Sequence, residues 1–334
     1  MRLTLLLVLP LMLLCSVARA DWFLAPESRT LATHRYLPPL LAEGAFITTH
    51  FGTRQGITSL RIPDVVTRGR KRDLRATGFT QAFDVGVKLY ECVGLFATAS
   101  GTVKAGLDAS SAFELGAVLD AGFQLGGVVR LFRFAQIGSE LSVRFAGGLA
   151  TESELQVKPI VEAAQEANLA LLVTPGRNRQ LLGSFHFAQT ILPSLGLQTA
   201  VTLRGTRSTL RPFSASDARR QDETRDDFAV ELALALSFDA ASFGVPLALM
   251  PEYQLTRESL TVRNGAKLEL DYRTQRLGAG LYYTGRDDLI LGAGVLAALN
   301  LEQDRLQWSA ADGSRQRSGS PSEVRAHFTF RYVW

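Results

Sequence analysis

Along most of this chain apolar side chains recur at every second position. Phe79, Phe83, Val85, Val87 and Leu89 alternate with Thr80, Asp84, Gly86 and Lys88. After a tight turn at Tyr90-Glu91-Cys92, a strand follows from Val93 to Ala99. Phe113, Leu115, Leu119, Phe123 and Leu125 oppose Glu114, Gly116, Asp120, Gly122 and Gln124, and Leu141, Val143, Phe145 and Leu149 oppose Glu140, Ser142 and Arg144. Beyond residue 180, Phe185 and Phe187 oppose His186, Val201 and Leu203 oppose Thr202 and Arg204, and Phe228 to Phe238 opposes Glu231 and Ala233. Leu249, Tyr253 and Leu255 then oppose Glu252 and Gln254, and the run Leu289 to Leu299 leads to the last strand. Period two places neighbours on opposite faces of a strand, so each ribbon has one apolar and one polar side.

Short turns alternate with long polar connections, which predicts about twelve strands. The first strand is expected over Ala45–Thr53, with Arg54–Ala76 a loop ending in the basic run Arg68-Gly69-Arg70-Lys71-Arg72. Residues 151–180 break the pattern: Val157, Ile160, Val161, Ala164 and Leu171 recur at helical spacing after Pro159, which predicts a short helix in a long loop. Arg207–Asp227 reads as a mixed-charge loop, and a parity slip near Tyr272 suggests a bulge. Residues 21–42, with Pro26, Pro38 and Pro39, show no periodicity and read as a periplasmic lead-in, far too short for a plug domain.

Alternation alone does not say which face is the interior. Many predicted strands run about 11–13 residues, the length of a tilted membrane-crossing strand, about 9–11, rather than the ~5–6 of a sandwich strand. The polar face is rich in small residues, as at Gly116, Gly122, Ala233, Gly278 and Gly280, where a water-washed exterior would carry more Lys and Thr. The apolar face therefore points to lipid and the polar face to a lumen. A hydrophobic content of 46% and a mean hydropathy of +0.09 agree with strands that alternate.

The start of the chain changes the compartment. Met1-Arg2, an apolar run to Leu14 and Ala18-Arg19-Ala20 read as a cleaved secretory leader over residues 1–20. Its loss would leave Cys92 as the only cysteine, without an intramolecular partner. The chain carries 36 Lys+Arg against 32 Asp+Glu, and the leader would take Arg2 and Arg19 with it, so the charge gives little reason to expect a nucleic-acid partner.

The last strand adds a resemblance. Val324, Ala326, Phe328, Phe330, Tyr332 and Trp334 share one face, while Glu323, Arg325, His327, Thr329 and Arg331 share the other. With its closing aromatic residue this resembles the integral β-barrel proteins of Gram-negative outer membranes, porin-like or transporter-like. The resemblance implies an all-β fold: a closed antiparallel transmembrane barrel over residues 43–334, with short periplasmic turns and long extracellular loops. It also implies that Phe328, Phe330, Tyr332 and Trp334 are an assembly signal read by the barrel assembly machinery, and that outer-membrane lipid and lipopolysaccharide are partners.

The remaining chemistry lies on the polar face. Asp84, Lys88, Glu114, Asp120, Glu140, Arg144 and His186 are expected to line a pore, with Arg204, Glu231, Glu252, Arg325, His327 and Arg331. Charge rings set pore selectivity; here the signs nearly balance, so strong ion selectivity is not expected. His50 and His327 are candidates for a luminal pair that binds metal or titrates near neutrality. Ser184 and His186 share a face, but the outer-membrane phospholipase pattern of a lipid-facing His with a nearby Ser fails, so no enzyme and no cofactor is expected. The expected function is a channel or transporter for small solutes. The alternative is a structural or surface-binding barrel with a blocked lumen, whose basic loops contact lipopolysaccharide phosphates, and an embedded hydrolase comes third.

Overall fold

The computed structural model describes residues 29–42, 44–67, 70–109, 111–112, 117–155, 173–210, 223–264, 266–299 and 322–334. A two-stranded hairpin, β1 (Thr30–Leu31) and β2 (His34–Arg35), precedes twelve long strands. These are β3 (His50–Thr67), β4 (Arg70–Tyr90), β5 (Val93–Gly106), β6 (Ala117–Phe134), β7 (Ser139–Leu155) and β8 (Val173–Leu192). They continue with β9 (Leu195–Leu210), β10 (Glu223–Asp239), β11 (Leu247–Asn264), β12 (Ala266–Tyr283), β13 (Leu289–Leu299) and β14 (Ser322–Val333). Each pairs antiparallel with its sequence neighbour, and β14 pairs with β3, so the sheet closes into a barrel. Closure of the sheet on itself leaves no open edge strand, which a wall surrounded by lipid requires.

An even strand count puts both ends of the barrel chain at one rim. That rim carries the tight turns 91–92, 135–138 and 193–194, and the turn holding the 3-10 segment Ala240–Phe243. In an outer-membrane barrel this rim is periplasmic and the long connections opposite are extracellular. The apolar stripe lies on the outside: Ile57, Phe79, Leu119, Phe145, Leu181, Phe228, Leu249 and Phe328 are all exposed. A belt of that size in water would be an aggregation surface; against acyl chains it is the expected lining. No helix among the described residues is long and apolar enough to cross a membrane, which says nothing against strands that do.

Several sequence expectations need correction. Residues 54–76 are not a loop: β3 and β4 extend through them as a hairpin, because alternation of polar and apolar residues persists above the belt. The same holds for the ends of residues 207–227, where β9 runs to Leu210 and β10 starts at Glu223. Ala45–Thr49 does not belong to the first barrel strand, which begins at His50. There is no bulge at Tyr272, where β11 and β12 stay in register; the irregularities fall at Ile62/Val65, Lys88/Tyr90, Arg130/Phe132 and Thr190/Leu192. Cys92 stands in the turn between β4 and β5, and Cys15 lies outside the described residues. The helix expected in 151–180 also falls largely outside them.

The largest correction concerns the lead-in. It is long enough to fill the lumen: residues 29–42 and 44–49 sit within the periplasmic half of the barrel, packed on its inner wall. Beyond the β1–β2 hairpin the segment forms no strand, and backbone groups of Leu37, Leu40, Leu41, Gly44 and Ala45 find partners on the inner wall instead.

Candidate functional site: the barrel lumen

The lumen divides by height. In the periplasmic half the inserted segment fills the space between strands. Leu37 and Leu40 pack with Ala235, Ala248, Met250, Tyr282, Ile290 and Val333 in one apolar cluster. Leu31, Tyr36 and Ala45 pack with Ala188, backed by Phe46, in a second. Room for this filling comes from wall glycines. A Cβ at Gly196 would stand 2.5 Å from the His34 ring, and one at Gly94 would stand 2.7 Å from Ile47 Cγ2, closer than Cβ contacts are found.

Polar wall residues then hold the segment by its backbone. The Glu252 carboxylate accepts from the Leu40 N–H at 2.8 Å through either oxygen, and from the Leu41 N–H at 2.8 Å. Gln198 Nε2 donates to the Leu37 carbonyl at 2.8 Å, and Gln254 Nε2 donates to the Leu41 carbonyl at 3.1 Å. Ser142 donates to the Ala45 carbonyl at 2.7 Å, Arg54 to the Leu40 carbonyl at 3.2 Å, and Arg144 to the Gly44 carbonyl at 3.4 Å. An unmet buried backbone group costs about 1–3 kcal/mol, so these side chains are what make the insertion tolerable.

At the rim the β1–β2 hairpin turns through Ala32 and Thr33, both with positive φ, 42° and 72°. Such backbone favours Gly or Asn; contacts hold it here, with the Ala32 N–H donating to the Ala135 carbonyl at 3.0 Å. His34 is fully buried, with Nδ1 3.1 Å from the Pro193 carbonyl and Nε2 2.6 Å from Ser237 Oγ. The Pro193 carbonyl can only accept, so Nδ1–H donates to it, and in the neutral ring Nε2 accepts from the Ser237 hydroxyl. Burial holds the His34 pKa below the ordinary imidazole value, against the opposing pull of the Pro193 carbonyl and Asp239. Arg29 donates to the carbonyls of Tyr36 and Asp287, and Arg35 pairs with the Asp287 carboxylate. Burial, with Arg331 and Arg35 nearby, pushes the Arg29 pKa down to about 10.

The extracellular half is different in kind. Arg204 pairs with Glu231 at 2.9 Å and reaches Glu258 at 3.8 Å. Gln254 bridges this group, donating to Glu231 at 3.0 Å and accepting from Arg276 at 2.7 Å. Lys104 and Arg325 pair with Glu323 at 2.7 and 2.8 Å. Arg204–Glu231 joins neighbouring strands, Arg204–Glu258 passes over one strand, Arg325–Glu323 lies within β14, and Lys104–Glu323 reaches from β5 to β14 past β3 and β4.

Asp84, Lys88, Asp120, Glu140, Arg144, His186, Arg204, Glu231, Glu252, Arg325, His327 and Arg331 all stand on the inward face, while Glu114 lies outside the described residues. The structure does not bring them to one place. Glu252 and Arg144 bind the inserted segment. Glu140 is fully buried between Arg130 and Arg133, at 3.4 and 3.5 Å. Asp84 receives His50 Nε2 at 2.8 Å and Arg331 at 2.6 Å. The suggested His50–His327 pair does not form: His50 is opposite Val333, six positions along β14 from His327. No group of metal-ligating side chains occurs among the described residues. Ser184 Oγ lies 2.6 Å from His186 Nε2, but both are buried under the inserted segment, next to the Ser142–Ala45 contact. Of the terminal aromatics, Phe328, Tyr332 and Trp334 are exposed, on the outward parity that Phe330 shares.

Sequence reasoning missed Arg29, His34, Tyr36, Leu37 and Leu40 entirely. One signal was present: near the periplasmic rim the strands are apolar on both faces, as in Leu289-Ile290-Leu291, Leu249-Met250 and Tyr332-Val333-Trp334. A wall apolar on its inner face must pack against something dry.

An apolar exterior, a polar interior and a closed twelve-strand antiparallel wall define a transmembrane β-barrel of the outer-membrane kind. No protein-family model matches the chain, and no protein of curated function matches its sequence. Solved structures do share the fold. An outer membrane channel from Pseudomonas putida F1 superposes with a TM-score of 0.55 at 10% identity, over 90% of this chain and 100% of that one. The translocator domain of the autotransporter NalP from Neisseria meningitidis gives 0.51 at 12% identity, over 86% and 89%.

Proposed function

We propose that this chain is an outer-membrane channel of a Gram-negative envelope that passes small solutes through its lumen, with residues 29–49 as its periplasmic gate. The observation that carries this reading is the divided interior. The extracellular half carries charged groups on its inner face, whereas the periplasmic half is closed by a segment that contributes no strand to the wall and is held by hydrogen bonds, the Arg35–Asp287 ion pair and apolar contacts. Such a segment can leave without opening the barrel. The similarity in fold to an outer membrane channel supports the reading. Transport is by diffusion, without covalent chemistry or cofactor, after leader removal and insertion by the barrel assembly machinery.

A second reading, a structural barrel with a permanently blocked lumen, is favoured by the close packing of Leu37 and Leu40 against Met250 and Tyr282. A liposome flux series over neutral solutes of increasing size separates the two. The channel reading expects slow, size-limited flux through the intact protein and faster flux through Glu252→Ala. Absence of flux through both proteins would leave the blocked barrel.

A further inference from the structure

On β3 and β4 the outward face carries polar side chains in the middle of the apolar belt. Gln55 stands directly opposite Gln81, with Thr53 one outward position below Gln55. The exposed pair Ile57 and Phe79 lies immediately above them, and Phe83 and Phe51 lie below, so both carboxamides sit at the depth of acyl chains. Gln81 Nε2 donates to Thr53 Oγ1 at 2.5 Å. Gln55 is exposed and makes no hydrogen bond among the described residues. Gln275, outward near the extracellular edge of the belt, is different: it accepts from Tyr253 at 3.4 Å. Acyl chains offer neither donor nor acceptor, so an unpaired amide held among them is costly.

Beside the two glutamines the wall is low. Between Leu95 and Val103 the outward positions of β5 are Ala97, Ala99 and Gly101, and Gly101 stands between Gln81 on β4 and Ala121 on β6. The β3–β4 side is raised by aromatic rings: Phe51 and Phe83 stack with centroids 6.4 Å apart, and Phe79 stands half exposed above Gln81. A ridge therefore adjoins a hollow at one height. A two-fold axis along the membrane normal, passing outside the wall between β4 and β5, sets the ridge of each copy into the hollow of the other. Apolar contact with a neighbour gains little over contact with acyl chains, so spans in lipid are held together by close packing of small residues and by hydrogen bonds.

We propose that the outward face of β3 to β6 is the contact between two copies of this chain in the membrane, closed by hydrogen bonds between their Gln55–Gln81 pairs. Depth selects that occupant. The bilayer holds every copy at the same height, so a second copy brings its own carboxamides level with these, and a carboxamide both donates and accepts. An acyl chain fills the hollow but leaves the amides unmet, and a different membrane protein fits only with a polar group at the same depth. The contact is isologous and closes at two copies. The inference rests on the outward face meeting lipid and is independent of whether the lumen conducts.

The test counts copies. The full chain, carrying one fluorophore, is reconstituted in phosphatidylcholine vesicles over a protein-to-lipid dilution series, and photobleaching steps per vesicle give the dimer fraction. The parent should form dimers, and Q55L/Q81L should raise the apparent dissociation constant roughly tenfold. Leucine suits lipid better than glutamine, so this variant should fold at least as well as the parent; heat-modifiable migration on a gel reports that each variant is a folded barrel. G101L fills the hollow and should weaken the dimer too, while its own wall leaves room: a Cβ there would have the Asp120 carbonyl at 3.7 Å as its nearest neighbour. L232A, on β10 at the opposite side of the closed wall, should pair as the parent does. A parent that stays monomeric at every dilution, a Q55L/Q81L or G101L chain that pairs as the parent does, or an equal loss in L232A would overturn the proposal.

Discussion

The two halves of this barrel share one wall and differ in what it encloses. Towards the periplasm the inward positions include Ala235, Ala248, Met250, Tyr282 and Ile290, packed against Leu37 and Leu40 in a buried apolar cluster. Towards the cell exterior the inward positions are Arg204, Glu231, Lys104 and Glu323, paired with one another. The outer face is alike in both. The membrane therefore dictates only half of each strand's pattern, and the inner half records what fills the barrel at that height. The dry half is stabilised by burial, and the charged half by ion pairs that are individually weak where solvent reaches them.

Substitutions that treat the halves alike should have unlike effects. The largest is expected for Leu40→Asp, which sets a carboxylate in the apolar cluster beside Met250. An unpaired buried charge costs on the order of 3–5 kcal/mol, enough to unseat the segment while the barrel persists, and limited proteolysis should then cut within residues 29–49. Next is Glu252→Ala, which strands the Leu40 and Leu41 N–H groups; at about 1–3 kcal/mol per unmet donor it should give the same protease sensitivity to a smaller degree. Gly196→Ala should act similarly, by pressing on the His34 ring.

A pH titration sharpens the comparison further. His34 is buried neutral, with its pKa below the ordinary 6.5. The unseated segment therefore binds a proton more readily than the seated one. Seating is at full strength above that value and weakens as pH falls through it, so protease sensitivity should rise on acidification below about 6.5. His34→Gln should flatten that part of the profile; an unchanged profile would remove His34 from the account. The smallest effect belongs to the upper half. Arg204→Ala breaks part-exposed pairs worth about 0–1 kcal/mol and should leave the segment's protection unchanged, so any large change would mean that the halves are not independent.

Most of the wall was legible in the sequence, because lipid imposes a rule on every outward residue from Phe51 to Phe328. The strand count, the closure of first strand on last and the inward position of the charged residues all follow from that parity. The extra length of β3 and β4 was not legible, since above Ile57 the outward positions turn polar and the apolar ones, Leu60, Ile62, Leu74 and Ala76, move to the inward face. The inserted segment was illegible for a different reason. Its Pro38-Pro39 stretch has no internal period, and its hydrogen-bond partners, Gln198, Glu252 and Gln254, lie more than 150 residues away in sequence. Glu252 looked like any other inward carboxylate; only the register shows that it faces the backbone of Leu40 and Leu41 rather than the solvent of a pore.

The account turns on residues 29–49 being a removable filling in the periplasmic half of an otherwise polar lumen. Single-channel recording of the intact chain and of a chain lacking residues 29–44, in planar bilayers, tests this most directly. A conductance that rises several-fold and loses its closures when the segment is absent is the predicted result. Equal conductance of the two proteins, or none from either folded barrel, would contradict it.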